Sequence, residues 1–124
     1  MRFRWHPAAR LVDAAGQGHD AAAWSGARVL PDRPAVAALQ DACAAPAFRI
    51  GAEEAPAPLG DGVFETLSGG TSGAPKRILR QHASWIASFT VNASLFDIGP
   101  HLCARVAVLG RLVHSLALYG ALEG

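Results

Sequence analysis

The chain has 124 residues, 51% of them apolar and 17% charged, with a formal net charge of +1. That length holds one modest domain, and the composition is that of a folding chain rather than a disordered one. The near-neutral balance excludes a broad nucleic-acid footprint and an acidic interaction tail, and no run approaches the ~18 consecutive apolar residues of a membrane span.

The opening stretch MRFRWHPAAR is basic but lacks the apolar core of ~7–15 residues that a signal peptide needs, so a cytoplasmic location is expected. Asn92-Ala93-Ser94 is then a chance glycosylation sequon. Residues 1–30 carry Trp5 and Trp24 without a clear period, and no element is assigned to them. Downstream, Asp32 can cap and Pro34 can open a helix running to about Ala44, with Val36, Leu39 and Cys43 on one face. Gly51 to Gly62 is rich in proline, glycine and acids and reads as an exposed connection. It divides the chain into an N-terminal segment, 1–62, and a second part, 63–124.

The pattern sharpens in that second part. Val63 to Ser68 alternates in a short run and is expected to be a strand. Arg77 to Gln81 is the expected return strand, which makes the residues between them the tip of a long hairpin. A helix of about four turns is expected from His82, with Ile86, Phe89, Ala93 and Phe96 as its apolar stripe and Gly99-Pro100 as its stop. Arg105 to Gly110 is a short apolar run of buried-strand type, and a last helix is expected from Val113 onward. The order strand, glycine-rich loop, strand, helix, strand, helix argues for an α/β sheet of about three strands with helical covering.

The chemistry concentrates in the loop SGGTSGAPK, Ser68 to Lys76. Consecutive glycines permit positive φ, which turns backbone N–H groups inward as an anion nest. Ser68, Thr71 and Ser72 add hydroxyl donors, Pro75 stiffens the exit, and Lys76 and Arg77 supply charge. Such a set suits a polyphosphate. An exposed turn is the alternative reading of the same composition. The spacing matches neither Walker A nor the dinucleotide fingerprint GxGxxG.

Ser68, Gly69, Gly70, Thr71, Ser72, Gly73, Pro75 and Lys76 fall one by one on the phosphate-binding signature of the adenylate-forming enzymes. The string therefore resembles that superfamily of acyl-CoA synthetases, peptide-synthetase adenylation domains and luciferases. His82 stands where the family commonly has a histidine opening a helix, and 106–124 is similar to its next strand and helix. The resemblance covers about residues 63–124 and implies the opening part of the large N-terminal domain of an AMP-forming acid ligase. Such an enzyme activates a small carboxylic acid with ATP and Mg²⁺ to an acyl-adenylate, often for a thiol acceptor (CoA or a carrier protein). By carry-over, Ser68, Thr71 and Ser72 donate to phosphate oxygens, and Gly69, Gly70 and Gly73 allow close approach. Lys76 is the catalytic cation, neutralising charge, and His114 approaches the acyl pocket. Glu65 stands where the family favours an apolar residue, and Arg77 replaces a common glycine. The family's adenine, ribose and Mg²⁺ residues have no counterpart in the chain, so a fragment unable to adenylate alone is expected. The alternative is a truncated, non-catalytic relative acting as a binding module. Which acid is activated is not legible.

Other candidates are weaker. Cys43 and Cys103 are expected to be reduced structural thiols, a disulfide being the alternative. His6, His19, His82, His101 and His114 show no metal-ligand spacing. Glu53-Glu54 reads as a solvated pair, and Trp85 as a core aromatic rather than a base-stacking one.

Overall fold

The structure is a computed structural model that describes residues 1–31, 34–52, 58–68, 73–99 and 105–124. A small hairpin comes first, β1 (Leu11–Val12) paired antiparallel with β2 (Gly18–His19). Asp13 makes its turn: Oδ1 accepts from the Ala15 and Gln17 amides at 2.9 Å each, and Oδ2 meets His19 Nε2 at 2.8 Å. The His19 hydrogen bond, ahead of the Gln17 backbone bond, holds the Asp13 carboxyl below its usual range.

Next come β3 (Val29–Leu30), α1 (Ala35–Ala44) and β4 (Phe48–Ile50), a strand–helix–strand unit with β3 and β4 parallel. Pro34 occupies the N-cap of α1 with an extended backbone, while Asp32 lies outside the described residues. Leu39 and Cys43 lie buried on the inward face with Ala38 and Ala42, while Val36 is only half-buried. β5 (Val63–Leu67) pairs parallel with β4 and antiparallel with β6 (Arg77–Gln81), giving the order β3-β4-β5-β6. The sheet is therefore mixed and has four strands where about three were expected, and its strands come from both sides of the Gly51–Gly62 connection.

α2 (His82–Leu95) and α3 (Ser115–Glu123) complete the chain order. Strand register puts Leu30, Phe48, Ile50, Phe64 and Thr66 on one face of the sheet. The first four join α1, α2 and α3 residues in the core. Phe3 enters that core from the N-terminus. Its ring stacks on His82 at 4.4 Å, and its amide donates to His82 Nδ1 at 3.1 Å. Trp85 packs edge-on against Phe64 at 4.7 Å and Tyr119 at 5.1 Å, the core role expected of it.

Three expectations are corrected. Arg105 to Gly110 is not a strand: it is irregular and exposed throughout, with Leu109 98% accessible, because no neighbouring strand among the described residues supplies a ladder for it. α2 ends before Gly99-Pro100, at a Phe96 C-cap followed by Asp97 in the left-handed region at φ 52°; a single polar residue that tolerates αL stops the helix earlier. The apolar stripe of α2 consequently fades, with Ile86 and Phe89 against the core and Phe96 exposed. Among the described residues, no helix is long and apolar enough to cross a membrane.

Candidate functional site

The parallel strands β3, β4 and β5 all end at one edge of the sheet, and open α/β sheets bind ligands outside that edge. The glycine-rich loop leaves from there, at the end of β5, and returns as β6. The ladder continues one step past Leu67↔Arg77 into a closed neck. The Ser68 amide donates to the Lys76 carbonyl at 2.7 Å, and the Lys76 amide donates to Ser68 Oγ at 3.0 Å. Ser68 is thus part of the clasp as well as a hydroxyl whose own proton stays available to an acceptor. Gly69, Gly70, Thr71 and Ser72 lie outside the described residues. On the return side Gly73 takes φ +80°, as the loop demands of a glycine, and Ala74, Pro75 and Lys76 are exposed.

Beside the neck, β4 turns away at Gly51, which sits at φ +73° where a Cβ would overlap Val113 Cγ2. The 113–114 segment takes the vacated place: Leu67 donates its amide to the Val113 carbonyl at 3.0 Å, and Leu67 bridges His114 in parallel fashion. His114 is the N-cap residue of α3, half-buried, with Nδ1 enclosed and without a hydrogen-bond partner among the described residues. Thr66 Oγ1 and Ser115 Oγ meet at 2.7 Å, tying β5 to the first turn of α3. The positive end of the α3 dipole therefore lies beside the end of β5.

The opposite face of the sheet carries an ionic ladder that sequence reasoning noticed only as two departures from a pattern. Glu65 Oε1 accepts from Arg49 Nε at 3.2 Å and from Arg77 Nη1 at 2.9 Å. The Arg49 and Glu65 side chains are only 9% and 10% exposed, that of Arg77 43%. Three strands are thereby joined one step beneath the loop. The available signal was a glutamate in the middle of an otherwise buried strand, followed by an arginine at the return.

The remaining candidates are structural. His82 is fully buried, and burial, partly offset by the Val63 backbone, pushes its pKa down to about 4, so it is neutral and holds the Phe3 amide. Burial raises the Cys43 thiol to about 12, which leaves it inert. Cys103, His101, Glu53 and Glu54 lie outside the described residues. Among the described residues no three His, Cys, Asp or Glu side chains gather as a metal site. A cleft of about 70 Å³ lined by Arg28, Ala47, Phe48 and Leu59 involves the start of β4, away from the loop.

The arrangement is a clasped loop of small residues at the carboxyl edge of a sheet, with Lys76 and Arg77 at its exit. No family model, curated protein or solved structure matches the chain.

Proposed function

We propose that the chain is the phosphate-holding part of an AMP-forming acid ligase, with Ser68–Lys76 gripping the β- and γ-phosphates of ATP while a carboxylate attacks the α-phosphorus. One observation carries this reading: the SGGTSGAPK string leaves the carboxyl end of β5 through a neck closed by the reciprocal Ser68–Lys76 hydrogen bonds. The Ser68–Lys76 backbone bond extends the β5–β6 ladder as in any hairpin; what supports the reading is the glycine, hydroxyl and lysine string that this hairpin carries at the carboxyl end of β5. A neck that brings Ser68 and Lys76 together suits a loop whose donors must converge on one anion.

Each residue then has a task. Ser68 closes the neck and offers its hydroxyl proton, Thr71 and Ser72 donate to phosphate oxygens, and Gly69, Gly70 and Gly73 let the backbone approach. Lys76 neutralises charge on the departing pyrophosphate. Magnesium accompanies the nucleotide, but Glu65, the carboxylate beneath the neck, is bound by two arginines and does not fit the ion as a ligand. His114, beside the end of β5, is the candidate for the acyl side of the site.

The test is acid-dependent exchange of labelled pyrophosphate into ATP by the product of the complete reading frame, with a panel of carboxylic acids. Lys76→Ala and Gly70→Val are each expected to lower exchange by about a hundredfold. ATP binding without exchange under any acid would assign the chain instead to a non-catalytic phosphate-binding module. Exchange indifferent to both substitutions would remove the loop from the chemistry.

A further inference from the structure

We propose that the outer edge of β6 is a docking strand for an extended acidic segment of a partner protein, which adds to the sheet beside β6. The proposal stands apart from the phosphate reading, since it uses the open side of the hairpin and not the loop.

Strand register defines the edge. The sheet runs β3-β4-β5-β6, so β3 and β6 are its edges among the described residues. β3 has two residues, too short to seat a strand, whereas β6 has five. At one end of the β5–β6 ladder the His82 amide donates to the Gly62 carbonyl at 3.0 Å, and at the other the Ser68 amide donates to the Lys76 carbonyl at 2.7 Å. Hydrogen-bonded pairs alternate along an antiparallel ladder, which puts Phe64↔Arg80 and Thr66↔Ile78 among them. The amides of Arg77, Leu79 and Gln81 and the carbonyls of Arg77 and Leu79 therefore face away from β5, without a partner among the described residues. The Gln81 carbonyl accepts from Ser84 Oγ at 2.8 Å. Leu79, at the centre of this row, is 57% exposed.

Charge selects the occupant. No Asp or Glu lies between Glu65 and Asp97, a span that holds Lys76, Arg77 and Arg80. Glu65 takes Arg77, while Lys76 and Arg80 have no carboxylate partner among the described residues. Lys76, Ile78 and Arg80 share one face of the strand, and Leu79 lies on the other. A second copy pairing edge to edge would bring the same cations again into one ladder, which like-charge repulsion opposes. An acidic segment meets that edge with opposite charge. Backbone pairing supplies the binding and alternate side chains the selection: acids beside Lys76 and Arg80, apolar residues beside Ile78 and Leu79.

The probe is a fluorescent, end-blocked valine–threonine peptide with glutamates at those two places, read by polarisation against the 124-residue chain. It is expected to bind, and to bind about tenfold more weakly when glutamine replaces the glutamates or when the chain carries Arg80→Glu. The melting temperature of that variant is expected to stay close to the parent's. N-methylation of the peptide amides that face β6 is expected to abolish binding, and methylation of the outward amides to leave it unchanged. Binding that survives methylation on the β6 side, or that Arg80→Glu leaves unchanged, would overturn the proposal. So would a parent chain that ignores the peptide; if that chain sediments as a dimer, the edge belongs to a second copy instead.

Discussion

Glu65 shows how one residue can carry two duties. Its carboxylate oxygen holds the buried Arg49 and the half-exposed Arg77 at once. Glu65→Leu, the kind of residue the resembled family favours, takes that acceptor from Arg49 inside the protein and is expected to cost about 2 kcal/mol. Arg77→Ala removes an exposed partner and is expected to cost under about 1 kcal/mol. Urea midpoints of the two variants check the contrast. His82 gives a pH dependence of definite sign. Its folded pKa of about 4 lies below the ordinary 6.5, so the unfolded chain binds the proton first. The stabilisation is complete above pH 6.5 and is lost as the pH falls toward 4. Urea unfolding is expected to show the protein about 2 kcal/mol less stable at pH 5 than at pH 7, and His82→Gln is expected to flatten that difference. At this scale the sequence revealed the loop residues, since glycine, hydroxyl and lysine announce their chemistry by type. It did not reveal the Arg49–Glu65–Arg77 ladder, which exists only because strand register brings positions from three strands together.

Gly51 is where one element makes room for another. Its left-handed backbone turns β4 aside, and Val113 fills the space beside Leu67. Gly51→Ala meets both the conformational penalty and the overlap with Val113, and is expected to destabilise by about 3 kcal/mol, read as a fall in the denaturation midpoint. Elements with a full period were legible in advance: α1, the β5–β6 hairpin, α2 and α3 each have enough residues to display a face. The strands β1 to β4 have two or three residues each, too few to show alternation, and their pairing depends on partners distant in the chain. Arg105 to Gly110 misled for the complementary reason. Its apolar residues look like a buried strand, yet hydropathy does not say whether a neighbouring strand exists to pair with.

The four-stranded sheet is assembled from both parts of the chain, and its loop edge depends on that. β5 is held on one side by β4 and on the other by β6, while Phe3 reaches from the N-terminus to stack on His82. A fragment comprising 63–124 alone is therefore expected to lack a cooperative unfolding transition by circular dichroism, although it contains the entire loop. Cooperative unfolding of that fragment would show that the first part is an accessory to the site rather than a wall of it. The central claim, that the loop holds nucleotide phosphates, is most directly tested by amide hydrogen exchange of the 124-residue chain with and without Mg-ATP. Slowed exchange centred on residues 68–77 and absent in Lys76→Ala is the predicted result. Unchanged exchange across that segment at saturating nucleotide would contradict the account.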